Sequence, residues 1–184
     1  MLGWLVRRQM AKFEREFDYD LTYARDIYDA SPRAFFRFSR ISGLAAHRED
    51  VSREAWFAAK IAAALAEDCG PCTQLVVTMA EREGVSPEAL RAILAGDKAA
   101  MPPDAALGFR FARSVLERDI VECDRLRNEV VSRWGRRGLV SLALTIAGAR
   151  VFPSVKYALG HGHACARVRV AGADTEVTRQ TSAA

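Results

Sequence analysis

The stretch Asp68-Cys69-Gly70-Pro71-Cys72 sets the strongest constraint on this chain. A cross-link braces a fold by removing loop entropy from the unfolded chain, and a loop as short as this removes little. The pair therefore reads as a redox couple. Dithiols of this spacing depress the pKa of one thiol, which leaves a thiolate available near neutral pH. Two unrelated cysteines, or half of a zinc site, are the plainer alternatives. Pro71 adds a local rule: it has no N–H to donate and is best tolerated in a first helical turn. A helix is thus predicted to begin between Cys69 and Cys72 and to run through Gln74, Leu75, Val76, Met79 and Ala80 to Gly84. Both sulfurs then lie at a helix N-terminus, where partial positive charge and unpaired N–H groups favour a thiolate.

The remainder reads as helix almost throughout. Val6, Met10, Phe13 and Phe17 form one apolar stripe, so residues 2–18 are expected to be an amphipathic helix that packs on the core or a neighbouring subunit. Ser31 followed by Pro32 is an N-cap and first-turn pair that predicts a helix ending by Gly43. From Ser52, the segment from Arg53 to Glu67 is rich in alanine and carries Trp56, Phe57, Ile61 and Leu65, the pattern of a buried helix. Ser86-Pro87 starts a further helix to Leu94, closed by Gly96. Asp104 is expected to cap a helix holding Leu107, Phe111, Val115 and Leu116. Another is predicted from Asp124 to Trp134, and a second Ala-rich one from Leu139 to Val151, interrupted near Pro153. Arg167-Val168-Arg169-Val170 alternates like a strand, but one short segment makes no sheet.

With 184 residues and a net charge of +4, the chain is long enough for one domain with a single core. Its basic and acidic residues are interleaved, which gives no support to a nucleic-acid role. No apolar run is expected to approach the roughly 18 residues that span a bilayer. Met1 to Val6 is too short for a signal core, so the expected location is the cytoplasm, where a CxxC is transiently oxidised rather than structural.

CGPC is also the thioredoxin sequence, but that fold needs a β-strand leading into the motif, and the preceding residues here are helix formers. A CxxC set between a buried Ala-rich helix and a following helix instead resembles the alkylhydroperoxidase D-like superfamily, which includes the carboxymuconolactone decarboxylases. The likeness covers roughly Val51 to Leu159. It implies an all-α orthogonal helical bundle over 49–160, preceded by an N-terminal helical extension over 1–48 and followed by a tail over 161–184. It also implies a homo-oligomer and an activity as a dithiol oxidoreductase or peroxidase, with Cys72 as nucleophile and Cys69 as the resolving thiol. No bound cofactor or metal is implied; the partners are a peroxide or disulfide substrate and an external thiol reductant. Lactone decarboxylation is disfavoured, because the decarboxylases of the superfamily do not use a CxxC.

The resemblance has gaps where its proton relay belongs. The family's Glu position is Phe57 here, and its His position is Val76. Candidate substitutes are Glu54, Glu67 and Asp68, although a carboxylate beside a thiolate also raises the thiol pKa. Thr73 and Gln74 are candidates for hydrogen bonds to the thiols. His161, His163 and Cys165 offer metal-ligand types, a fold-back of a histidine onto the CxxC is a second reading, and solvated imidazoles at a helix end are the plainest. Cys123 reads as a spectator. Without a relay, a non-enzymatic oligomeric helical protein with redox-responsive or inert cysteines is the alternative function.

Overall fold

The computed structural model of the chain describes residues 2–162 and 167–177. In chain order its helices are α1 (Leu2–Phe17), α2 (Thr22–Ala30), α3 (Pro32–Ser39), α4 (Ile41–Ala46), α5 (Arg53–Ala66), α6 (Gly70–Arg82), α7 (Pro87–Ala95), α8 (Pro103–Glu117) and α9 (Ile120–Ala158); β1 (Arg167–Val170) and β2 (Ala173–Glu176) follow. The protein is mainly helical, as expected.

Helix α5 organises the rest. Ser52 Oγ accepts the Ala55 N–H at 3.3 Å, and every residue from Ala55 to Ala64 is buried. Small side chains let neighbours approach closely, above all α8, where a Cβ added at Gly108 would overlap the backbone of Ala55. Phe57, Ile61, Leu90, Ile93, Leu94, Phe109, Leu126 and Leu142 are fully buried around it, each worth roughly 2–3 kcal/mol of transfer free energy. Helix α6 turns back along α5, so that Arg53, at the start of α5, donates to the carbonyl of Glu83 at the end of α6.

Caps fall largely where the sequence puts them. Ser31 Oγ accepts from Ala34 N (3.2 Å) and Ser86 Oγ from Ala89 N (3.2 Å), and Gly96 ends α7 in the left-handed region at φ 68°. Four expectations need correction. The helix that begins after Ser31 breaks at Arg40, and Gly43 lies inside α4 rather than ending a helix. Pro102 occupies the cap of α8, with Asp104 in its first turn. The two helices expected between Asp124 and Val151 are both present within α9 and meet at a kink at Gly135 (φ 69°, ψ −176°), as expected; what differs is that the first starts earlier, capped by Asp119 Oδ1, and the second runs on through Pro153. Finally, Arg167–Val170 does find a partner: it pairs antiparallel with Ala173–Glu176 across a turn in which Ala171 and Gly172 both have positive φ. Val168 and Val170 are buried against the bundle, so this part of the expected tail belongs to the core.

Helix α9 also corrects the expectation about apolar length. An 18-residue stretch of it has a mean hydropathy of 1.5, which meets the length and composition requirement for crossing a membrane, although 44% of that stretch is buried inside the bundle.

The N-terminal helices form a second apolar cluster around Met10, Tyr19, Tyr23 and Ala24, with Phe13, Phe17, Phe35 and Phe38 packed on it. Leu75 of α6 and Val155 of α9 join this cluster to the bundle. The stripe predicted on α1 thus packs within the chain.

Because the Ala55 backbone leaves no room at Gly108, Gly108→Ala is expected to lower the unfolding free energy by about 1–3 kcal/mol. A denaturant titration of the two proteins, with the same slope and a lower midpoint for the variant, checks this.

Candidate functional site

Three residues separate α5 from α6; the last of them is Cys69, and Cys72 follows in the first turn of α6. Glu67 ends α5, Asp68 takes a left-handed conformation (φ 48°), and Cys69 is the N-cap of α6, with no side chain capping it. Cys69 and Cys72 are joined as a disulfide. The first-turn N–H groups of α6 have no intrahelical acceptor, so the pair lies in the positive end of the helix field. Cys69 is 1% exposed and Cys72 6%. Only Cys72 forms part of the wall of a neighbouring cavity.

That cavity, about 760 Å³, lies between the N-terminal helices and the bundle. Its walls are mostly aromatic and aliphatic: Phe13, Phe17, Phe35 and Phe38 from the N-terminal side, and Trp56, Phe57, Leu75, Val76, Met79 and Phe152 from the bundle. Exposed residues Gln9, Ser42, Gly43 and Glu83 are among its lining and give it a mouth to solvent. Phe57 and Val76, at the positions where the resemblance calls for Glu and His, both line this space.

Two polar groups reach toward the sulfurs. The Tyr19 hydroxyl lies 3.9 Å from Cys72 Sγ, and with the sulfurs joined only the phenol can donate. Lys156 Nζ in turn donates to Tyr19 Oη at 3.4 Å and lies over the rings of Tyr19 and Tyr23. Tyr19 and Lys156 are both buried. Burial raises the Tyr19 pKa well above the ordinary phenol value, with Tyr23 adding to the shift, and burial lowers the Lys156 pKa against the opposing pull of Asp20. Burial likewise pushes Tyr23 up to about 12. The result is a chain of hydrogen-bonding groups, Cys72–Tyr19–Lys156, with the lysine at its far end. No sequence signal marked it: Tyr19 and Lys156 are 137 residues apart and join only through packing of the N-terminal helices on α9.

The carboxylates named from sequence have other partners. Glu54 lies in the first turn of α5, beside Arg53 at 3.9 Å, about 18 Å of helix away from the end that leads to the disulfide. Glu67 pairs with Arg150 Nε at 2.5 Å and accepts from Ser154 Oγ at 3.5 Å. The Asp68 carbonyl accepts from the Tyr157 hydroxyl at 2.9 Å. Arg150, Ser154 and Tyr157 follow at intervals of four and three on one face of α9 and so clamp the turn that holds the cysteines. Thr73 Oγ1 donates to the Cys69 carbonyl, and Gln74 exchanges hydrogen bonds with the backbone of Arg169 on β1; neither is bonded to a sulfur. His161 Nε2 pairs with Asp26 Oδ2 at 2.7 Å, not with the CxxC. His163 and Cys165 lie outside the described residues. Among the described residues, no group of three or more His, Cys, Asp and Glu side chains converges as a metal site would. Cys123 is half-buried, with Arg127 donating to its sulfur at 3.7 Å.

Another buried lysine, unlike Lys156, lines the cavity itself. Lys60 is 8% exposed; its Nζ donates to the Ala45 carbonyl at 3.0 Å and lies 4.3 Å from the Trp56 ring centroid. Burial lowers its pKa to about 8, with Glu83 pulling the other way.

Comparison of the chain with protein-family models, with curated proteins and with solved structures gives no match.

Lys60 is charged in both folded and unfolded protein at pH 7, and a depression from 10.5 to about 8 corresponds to about 3 kcal/mol of desolvation cost. Between those pH values the unfolded chain holds more protons than the folded one, so this group's share of stability rises with pH. Lys60→Met is therefore expected to stabilise the protein by about 2–3 kcal/mol at pH 7, the Ala45 carbonyl keeping its contact with Thr145 Oγ1 (3.4 Å); the advantage should shrink from pH 8 to 10.5 in paired unfolding curves. Glu67→Gln, which weakens the pair between a largely covered carboxylate and a half-exposed arginine but keeps an acceptor for Arg150 Nε, is expected to cost about 1 kcal/mol. Iodoacetamide labelling should find thiol reactivity within twofold of the parent.

Proposed function

We propose that the protein is a dithiol oxidoreductase of the alkylhydroperoxidase D-like kind, in which Cys72 attacks the substrate and Cys69 resolves the product. The observation that carries this reading is the position of Cys72: it lies in the first turn of a helix, borders a cavity that opens to solvent, and has the Tyr19 hydroxyl and Lys156 behind it. The helical content and the CxxC at a helix start also support the family reading.

In the reduced protein the Tyr19 O–H would donate to the Cys72 thiolate while the Lys156 ammonium polarises the phenol, charge-assisted bonds that favour the ionised sulfur. With Lys156 neutral, the same chain accepts the thiol proton through Tyr19. This network does the work that Glu and His do in the family. The thiolate attacks one sulfur of a substrate disulfide; that S–S bond breaks, its other sulfur leaves and takes a proton, and a mixed disulfide remains on Cys72. Cys69, giving up its proton, attacks Cys72 Sγ, releases the second substrate thiol and restores the Cys69–Cys72 bond. The substrate has gained two electrons, which an external dithiol returns to the protein by the reverse exchange. With a hydroperoxide the O–O bond breaks instead, an alcohol leaves, and Cys72 sulfenic acid is resolved by Cys69 with release of water.

One observation favours a second reading, a non-enzymatic protein with redox-responsive cysteines: both sulfurs are nearly covered, and buried apolar surroundings raise thiol pKa values. Trapping separates the two. Cys69→Ser, incubated with a small aromatic disulfide, is expected to accumulate a covalent adduct on Cys72 by mass spectrometry. Cys72→Ser should react at least tenfold more slowly, and Tyr19→Phe should slow adduct formation about tenfold with its helical signal unchanged. Adducts formed first on Cys69, or on neither cysteine within hours, would count for the second reading.

A further inference from the structure

Lys60 is a charge without an ionic partner in a place where charge is costly. More than nine-tenths of it is buried, no carboxylate of the described residues lies within 4 Å of its Nζ, and one carbonyl occupies one of its three N–H donors. Glu83, the one carboxylate that lines the same cavity, is exposed and held by Arg48 Nη1 at 2.7 Å. The Trp56 face supports the cation from one side but neutralises nothing. Buried cations without a counter-ion are expensive, and mainly apolar cavities of several hundred Å³ with a few polar groups are the usual form of a small-molecule site. The charge sits on the bundle wall, one helical turn along α5 from Ala64, which shares the lining with Cys72. The remaining space is aromatic and aliphatic and leads out past Gln9 and Ser42.

We infer that this cavity is a binding site for single-chain carboxylates, anionic amphiphiles whose headgroup pairs with Lys60 while the hydrocarbon chain lies among the aromatic side chains of the N-terminal helices. As a binding site the inference stands on the cavity and Lys60 alone; as a statement of the substrate class that reaches Cys72, it rests on the dithiol reading. The occupant is a small anion with a tail rather than a peptide, because the charged group is buried behind a mouth instead of lying on an open face. Its negative charge supplies the counter-ion that the fold withholds from Lys60, and its chain takes apolar wall out of contact with water.

The test uses dodecanoate and dodecanol below their aggregation thresholds, with calorimetry on the full chain at pH 7. Dodecanoate is expected to bind at least tenfold more tightly than dodecanol. In Lys60→Met the two should bind within twofold of each other, with dodecanol affinity retained as proof that the cavity is intact. Equal affinities in the parent protein, an unaltered preference in Lys60→Met, or no binding of either compound would overturn the inference. The Cys69→Ser/Cys72→Ser variant keeps the questions apart. If it binds dodecanoate like the parent, the site is independent of the sulfurs, whatever the fate of the dithiol reading. A parent protein that turns over disulfides yet ignores dodecanoate refutes the ligand class and spares the chemistry.

Discussion

Close packing around α5 decides where the sulfurs lie. Its alanines leave almost no side-chain volume between it and α8, so the helix axis is fixed by backbone contact at Gly108 and Ala55. The end of α5 is held as well, through Arg150, Ser154 and Tyr157 of α9 on the turn at Glu67 and Asp68. A disulfide between the cap and the first turn of α6 inherits that rigidity. Its surroundings are therefore set by what packs on it, and the N-terminal helices supply them.

Those helices bring an uneven mixture to the bundle. Their aromatic side chains enclose a cavity, while Tyr19 closes a hydrogen-bonded path from Cys72 to Lys156. Burial raises the energy of every charge in this region, which is why the pKa values of Lys60 and Lys156 fall and those of Tyr19 and Tyr23 rise. The two lysines answer that cost differently. Lys156 has the Tyr19 oxygen and two ring faces, whereas Lys60 has one ring face, one carbonyl and open space. Low dielectric strengthens interactions among groups that are satisfied and penalises those that are not. The same surroundings thus suit a polarised relay at one end of the cavity and leave an anion-seeking cation at the other.

Local rules made much of the fold legible in the sequence. Ser31-Pro32, Ser52 and Ser86-Pro87 are short-range capping signals, and the helices begin there because a cap depends on three or four neighbouring residues. The helix start at the CxxC follows from Pro71 in the same way. Helix α2 escaped notice because its start, Thr22 held by Asp20, resembles an ordinary turn. The hairpin escaped because β1 alternates clearly whereas Ala173–Glu176 has no apolar face of its own; pairing and the positive φ values at Ala171 and Gly172 make it a strand. At the site, the cysteines were legible and their polar neighbours were not. Glu54, Glu67 and Asp68 are the carboxylates near the motif in sequence, whereas the polar groups that reach toward Cys72 are Tyr19 and Lys156, each more than 50 residues away from it. Proximity of that kind depends on tertiary packing, which no spacing rule encodes.

The dithiol reading requires the Cys72 thiol of the reduced protein to ionise more readily than buried thiols ordinarily do, with Tyr19, Lys156 and the start of α6 outweighing desolvation. Following thiolate absorbance against pH in the fully reduced protein, with Cys123 and Cys165 replaced by serine, tests it most directly. The account predicts a midpoint for Cys72 at least one unit below the ordinary thiol value of about 8.5, moving up by about one unit in Lys156→Met. A midpoint at or above the ordinary value, insensitive to Lys156→Met, would contradict it.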